Sequence, residues 1–158
     1  MYQNQDGNSS MQQEIEKSIL KRLKMELNVD ELESNRSLPL PGEPGVRIRP
    51  DFYSEQHKII GEIHSHLGKL KPAQQKKVAA DILKLHLFDP DNKFRKIYAL
   101  CDKEEEEQLR GNGWLPAAIR LFKIEIMLIG LTEQERNDLR AAMRRQNMHP
   151  EQPGDTTE

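Results

Sequence analysis

From Arg49 to His66 the chain reads RPDFYSEQHKIIGEIHSH, and this stretch determines the architecture expected around it. Val46 to Ser54 alternates apolar and polar residues, which predicts a β-strand. Lys58 to Leu67 is a second strand candidate, with Gly61 in its interior. Because only the short link Ser54 to Gln56 joins the two strands, we predict an antiparallel hairpin.

Helical patterns flank the predicted hairpin on both sides. Upstream, Met11 to Leu27 carries apolar residues at spacings of three and four, which predicts an amphipathic helix. Downstream, Lys71 to Ala73 opens a helix that is expected to stop near Asp89-Pro90. Thr132, followed three residues later by a glutamate, predicts a capping box at the start of a final helix.

Two further strands are expected, at Lys96 to Cys101 and at Ile124 to Leu131, with a short helix over Leu115 to Phe122 between them. We expect the acidic run Glu104 to Glu107 to form a solvated helical start, and Trp114 to be a core anchor. The order is helix, strand, strand, helix, strand, helix, strand, helix. This order predicts an α/β or α+β sandwich with a central mixed sheet.

The chain has 158 residues, a formal net charge of −2 and a single cysteine, Cys101. This length predicts one domain, over residues 11–146, with disordered tails at 1–10 and 147–158 that have few apolar side chains to bury. A lone cysteine excludes an internal disulfide and suits a reducing compartment. Since no apolar run approaches the ~20 residues that cross a membrane, we expect a cytoplasmic protein without a membrane partner.

Asp51 and Glu62 are the residues most indicative of chemistry. Because side chains alternate along a strand, Glu62, His64 and His66 face the same side. Hairpin pairing allows Asp51 to project onto that side too. Two neighbouring carboxylates repel each other, and a divalent cation removes this conflict. Magnesium prefers such oxygen ligands and keeps positions open for a substrate phosphate.

A family resemblance begins at these residues. Pro50-Asp51, followed about ten residues later by Glu62-x-His64, resembles the PD-(D/E)xK nuclease signature, with His64 where that motif has lysine. The element order is similar to the restriction-endonuclease-like core, from about Glu14 to Leu131. The resemblance implies an α/β three-layer sandwich with a central mixed β-sheet flanked by helices. It also implies hydrolysis of phosphodiester bonds in DNA, with Mg²⁺ or Mn²⁺ as the cofactor.

The resemblance further implies roles for individual residues. Asp51 and Glu62 would hold the metal, together with an acidic residue of the first helix. Glu16 fits this position best because it borders the buried stripe of that helix, and Glu14 is the second choice. His64 is the candidate that activates the attacking water, as a base or as a protonated donor.

Basic residues outnumber acidic ones around the hairpin and the helix after it. Among them we assign Arg49, Lys69, Lys76 and Lys77 to contacts with nucleic-acid phosphates. The three lysines are also candidates to supply the missing motif lysine from a shifted position. Aromatic residues for base stacking are scarce here, which favours recognition of the backbone of duplex or structured DNA. Whether the protein forms a homodimer is left open, since nothing in the sequence decides it.

Two other interpretations of the same residues stay open. A relative of this fold without catalytic activity would bind nucleic acid or protein, and Asp51 and Glu62 would then have no catalytic role. Alternatively, His64 and His66 together with the two carboxylates would form a zinc or iron site with hydrolase or oxygenase chemistry.

The final helix has a mixed basic and apolar surface of its own, which indicates either a partner or oligomer surface or simply a helix that covers the sheet. Its members are Arg140, Met143, Arg144, Arg145, Gln146 and Met148.

Overall fold

The computed structural model describes residues 6–147, with side chains from Ser10 to Gln146. The predicted tails therefore lie outside the described residues at 1–5 and 148–158, whereas residues 6–10 are helical. In chain order the elements are α1 (Asp6–Leu27), β1 (Leu38–Pro39), β2 (Arg47–Ile48), β3 (Phe52–Ser54), β4 (Ile59–His64), α2 (Pro72–Phe88), β5 (Arg95–Leu100), α3 (Lys103–Leu109), α4 (Trp114–Leu121), β6 (Ile124–Leu128) and α5 (Glu133–Asn147).

The central sheet has four strands in the order β3-β4-β5-β6. Strands β3 and β4 are antiparallel, with Phe52 opposite Gly61, and β4, β5 and β6 run parallel to one another. The parallel connections pass through α2 and through the α3–α4 pair, as parallel strands require. The α/β class, the mixed sheet and the hairpin are thereby confirmed.

The first predicted strand is interrupted, which the sequence did not indicate. Arg47–Ile48 pairs with β1 in a separate two-stranded sheet, and β3 begins only at Phe52. Pro50 lies in the gap and has no N–H to give to a ladder. The side chain of Asp51 accepts the N–H of Ile63 instead, so it takes the place of a backbone hydrogen bond.

Apolar side chains on the two faces of the sheet form two cores, because neighbouring residues of a strand point in opposite directions. On one face Ile59 and Ile63 of β4 pack with apolar residues of α1 and α5. On the other face Ile60 and Tyr98 pack with apolar residues of α2 and α4. Glu62 alternates with Ile63, so its side chain is directed to the α2 side.

Gly61 is required by the close packing of the hairpin against β5. A Cβ atom at this position would lie 2.1 Å from Phe52 Cζ and 2.4 Å from the carbonyl oxygen of Ile97. Both distances are far below van der Waals contact, so only glycine fits between the ring and the neighbouring strand.

The ends of the helices follow the predicted signals. The N–H of Thr132 donates to Glu135 Oε1 at 2.8 Å, and Thr132 Oγ1 accepts from the N–H of Glu135 at 3.1 Å, which confirms the capping box. Helix α2 ends at Phe88, directly before Asp89-Pro90, as expected. Among residues 6–147 there is no helix with both the length and the apolar character to cross a membrane.

One prediction about α4 is wrong, and one about α3 is correct only in part, since the acidic run is helical. Trp114 is 69% exposed, because Leu115 and Ile119 take the buried side of α4. The acidic run is not entirely solvated, because Glu105 is 0% exposed. Glu105 lies one turn before the buried Leu109, so both side chains are on the inner side of α3.

Candidate functional site

Asp51 and Glu62 lie side by side at the end of the hairpin where β4 approaches its C-terminus. Asp51 immediately precedes β3, and continuation of the β3–β4 register places it opposite Glu62. Asp51 Oδ2 accepts the N–H of Ile63 at 2.7 Å, which fixes this carboxyl group against β4. Glu62 is only 6% exposed, and its side chain is hydrogen-bonded to that of Asp51.

The shared hydrogen bond implies that this acidic pair holds a proton. Burial raises the pKa of Glu62 to about 10, and the charge of Asp51 adds to the rise. At neutral pH Glu62 is therefore the neutral partner and donates its proton to Asp51. A bound divalent cation favours the ionised form of such a carboxyl group and displaces the proton.

Glu16 of α1 contributes a third carboxyl group. Burial and the nearby charge of Asp51 raise the pKa of Glu16, while Lys77 and a hydrogen bond from Ser65 act in the opposite direction. The hydroxyl of Ser65 donates to Glu16 Oε1 at 3.5 Å and accepts from Gln12 Nε2 at 3.2 Å. These contacts hold α1 against the end of β4.

Of the two acidic residues considered on α1, Glu16 is the one beside the hairpin carboxyl groups. Glu14 is exposed and is not part of the cleft described below.

Lys77 of α2 is the cation that the structure brings to these carboxyl groups. Its Nζ atom lies 3.2 Å from Asp81 Oδ2, and the Tyr98 hydroxyl donates to the same oxygen at 3.0 Å. Burial lowers the pKa of Lys77, but the charges of Asp81, Asp51 and Glu62 outweigh this and raise it overall. The ammonium group therefore stays protonated beside the acidic pair.

Asp81 was not predicted as a site residue. Its position four residues after Lys77, on a predicted helix, was the available signal for an ion pair.

His64 is held by a residue that the sequence analysis did not select. Its Nδ1 atom is hydrogen-bonded to Glu105 Oε1, and His66 Nδ1 lies 3.5 Å from Glu105 Oε2. The two imidazole rings are stacked, with centroids 5.4 Å apart and planes 11° from parallel. The acidic run predicts that Glu105 is exposed to solvent. The signal for its burial was its spacing of four residues from the apolar Leu109, which places both on the inner side of α3.

A cleft of about 440 Å³ opens between α1, α2, α5 and the end of β4. Its charged and titratable lining consists of Glu16, His64, His66, Lys69, Lys71 and Lys77. Asp51 and Glu62 are not in the lining, although Glu16 and Lys77 both interact with Asp51. Arg49 and Lys76 are exposed and lie outside this cleft, so of the four predicted phosphate-binding residues only Lys69 and Lys77 line it.

The oxygen donors suit a hard cation better than zinc or iron. Asp51, Glu62 and Glu16 offer carboxylate oxygens, which Mg²⁺ and Mn²⁺ prefer. In the described part of the chain, no three or more His, Cys, Asp or Glu side chains are already gathered as a metal-holding group. His64 and His66 make their polar contacts with Glu105 rather than with Asp51 or Glu62.

The fold and the site together define an α/β protein with a mixed four-stranded sheet and an acidic pair, buried Glu62 and half-buried Asp51, beside a cleft. Comparison of the chain with protein-family models, with curated proteins and with solved structures finds no match. A particular activity is therefore inferred from the chemistry of the site residues themselves.

Proposed function

We propose that this protein is a Mg²⁺- or Mn²⁺-dependent nuclease of the PD-(D/E)xK type, with a restriction-endonuclease-like core, that hydrolyses phosphodiester bonds in DNA. One observation carries the proposal: the Asp51–Glu62 pair on a hairpin, with Glu62 buried and Asp51 half-buried, on which the charge of Lys77 acts and beside which Glu16 lies. The motif spacing and the mixed sheet with a parallel β4–β5 pair support it further.

In this proposal Asp51, Glu62 and Glu16 are the residues that hold the metal. The ion, when bound, polarises the scissile phosphate and lowers the pKa of a water molecule. Glu62 has to release its proton to become a ligand, because burial and Asp51 keep it protonated in the free protein. Metal uptake at neutral pH is therefore expected to release a proton.

Lys77 is the best candidate to replace the lysine of the family motif. Its charged ammonium lines the cleft and is oriented by Asp81, so it would stabilise negative charge that develops on the phosphate. His64 keeps its role as the proposed water activator. Since its Nδ1 atom is hydrogen-bonded to Glu105, only Nε2 is left to exchange a proton with water in the cleft.

Metal binding is the first part of the experimental test. Calorimetric titration with Mg²⁺ and Mn²⁺ in two buffers of different ionisation enthalpy would measure both affinity and proton release. We expect binding to the wild type and its loss in Asp51→Asn and Glu62→Gln. Glu16→Gln is expected to weaken binding, whereas Glu14→Gln, the matched change on the same helix, leaves it unchanged.

Cleavage is the second part, measured as nicking of supercoiled plasmid and of branched DNA. We expect Lys77→Met to abolish cleavage while it retains metal binding, because Lys77 acts on the phosphate rather than on the ion. Lys76→Met is the matched control, since Lys76 is the exposed neighbour on the same helix and lies outside the cleft. Equal loss in both lysine variants would contradict the role given to Lys77.

A catalytically inactive relative that binds nucleic acid or protein is the second candidate. The observation that favours it concerns His64. This residue stands where the family motif has lysine, but its Nδ1 atom is hydrogen-bonded to Glu105. Metal binding without cleavage of any DNA substrate would support this candidate. Absence of metal binding by the wild type would overturn the nuclease proposal.

A further inference from the structure

Helix α5 carries a row of arginines that the proposed catalytic centre does not use. Arg136, Arg140 and Arg144 follow one another at intervals of four residues, so they lie on one side of the helix, about 6 Å apart along its axis. The Nη2 atom of Arg136 lies 3.6 Å from Asp102 Oδ2. Arg140 and Arg144 are exposed and form no ion pair with a carboxylate of the described residues.

This row faces a second cleft, of about 410 Å³, that lies next to the first. The two clefts share Leu67, Gly68 and Met143 in their linings. Together the two linings contain six lysine and arginine side chains and only three carboxylates, Glu16, Asp102 and Glu104. The two neighbouring clefts therefore have a predominantly basic lining from Lys77 to Arg144, which we call the basic path, although the whole chain has a formal net charge of −2.

Gly68 lines both clefts, and the space beside it is open. Its φ is +87°, and no atom lies within 4 Å of the position that a Cβ would occupy. Glycine is thus favoured at this point by the backbone conformation, and it leaves room for another molecule to approach the main chain closely.

We propose that the path over Gly68 to Arg140 and Arg144 holds the phosphodiester backbone of DNA next to the bond that is cut. This inference rests on the proposed function. Like charges four residues apart destabilise a helix, and two of the three arginines form no ion pair with a carboxylate of the described residues. The arginines recur about every 6 Å along α5, and the phosphates of one DNA strand recur about every 3.4 Å along the duplex axis, so both rows of charge have a regular spacing of a few ångströms. A polyanion with regularly spaced charges therefore fits the row.

The test compares two variants with equal changes of charge. Arg140→Glu with Arg144→Glu removes the row, and Arg145→Glu with Lys21→Glu changes two exposed cations that line neither cleft. Binding of a fluorescent DNA duplex is measured by anisotropy in EDTA at several salt concentrations. We expect the first variant to bind on the order of tenfold more weakly, with the slope of log K against log salt reduced by about 2, and the control to keep the wild-type slope.

Cleavage kinetics give a second readout. Because Arg140 and Arg144 line the second cleft and not the one that contains Lys77, their loss is expected to raise KM and to leave kcat unchanged. A loss of kcat with no change in KM would contradict a role in holding the backbone. All the substituted residues are exposed, so thermal unfolding is expected to be the same in the two variants.

Failure of this inference is distinguishable from failure of the proposed function. If the wild type binds and cuts DNA but the two variants bind equally well, the arginine row is not the binding path, and the nuclease proposal stands. If the wild type neither binds nor cuts DNA, both proposals are overturned. If the Arg140→Glu, Arg144→Glu variant loses binding to polyglutamate but retains DNA binding, the row is assigned to an acidic protein partner instead.

Discussion

At the scale of single residues, the carboxyl group of Glu62 lowers the stability of the metal-free fold as pH rises. Its pKa is about 10 in the folded protein against an ordinary value of 4.5, so between these values the folded state binds more protons than the unfolded state. The unfolded chain releases this proton near pH 4.5 and gains the hydration of the charge. Stability therefore decreases with pH, by up to about 1.4 kcal/mol per pH unit.

The first prediction follows from this sign. Glu62→Gln removes the titrating group and keeps a hydrogen bond to Asp51, so the variant is expected to be more stable than the wild type in EDTA. Its advantage is expected to increase by about 2 to 3 kcal/mol from pH 5.5 to pH 7.5. Urea unfolding at both pH values measures this. An advantage that is independent of pH would contradict the assignment of the proton to Glu62.

The second prediction concerns the buried carboxylate of Glu105, which contacts both His64 and His66. Glu105→Ala leaves the buried Nδ1 of His64 without its partner, which is expected to cost about 1 to 3 kcal/mol of stability. Glu105→Gln is expected to cost less, because its amide oxygen still accepts from His64. Glu107→Ala, at an exposed position of the same helix, is the control. Equal effects of the two alanine variants would contradict the contact.

At the scale of secondary-structure elements, the hairpin is the feature on which the site depends. It places Asp51 opposite Glu62, and Gly61 allows the hairpin to approach β5 closely. Interruption of the first strand at Pro50 frees the Asp51 side chain to hold the Ile63 N–H. The hairpin was predictable from its short link and its alternation, but the interruption was not, because it depends on a contact between the two strands.

The third prediction tests that packing. Gly61→Ala is expected to destabilise the fold by at least the 1 to 3 kcal/mol typical of an overpacked core, because the carbonyl oxygen of Ile97 belongs to the backbone and cannot move away. Gly45→Ala is the matched control, since a Cβ at Gly45 meets no atom within 4 Å. Thermal unfolding of the two variants gives the comparison. Similar midpoints would show that the hairpin and β5 are less tightly packed than described.

At the scale of the whole molecule, the proposed metal site joins three parts of the chain. Glu16 comes from α1, and Asp51 and Glu62 come from the hairpin, while α2 adds Lys77 beside them for the phosphate. An ion held by such residues binds the folded chain and not the unfolded one, so it stabilises the fold as a whole.

The fourth prediction is that Mn²⁺ or Mg²⁺ raises the unfolding temperature. A metal concentration of 100 times Kd is expected to add about 2.7 kcal/mol to the stability of the wild type. Glu62→Gln is expected to start from a higher midpoint in EDTA and to show no further rise with metal. Differential scanning calorimetry measures both midpoints. An equal rise in the wild type and in this variant would indicate that the ion binds somewhere other than the acidic pair.

The sequence by itself determined the five-helix and four-strand framework apart from the interruption at Pro50 and the small β1–β2 sheet, and it singled out the carboxyl groups of Asp51 and Glu62. These features depend on alternation, turn chemistry and helical periodicity, all of which act between residues close together in the chain. It also placed Glu16 ahead of Glu14, because the apolar spacing of α1 shows which residue borders the buried stripe.

Only the tertiary structure selected Lys77 rather than Lys76, joined His64 to Glu105, and connected the arginines of α5 to the cleft. Each of these contacts is between elements that are distant in sequence. Which side chains meet there depends on how the helices pack against the sheet. The exposure of Trp114 and the burial of Glu105 have the same cause, since the inner side of a short helix is chosen by its neighbours and not by composition.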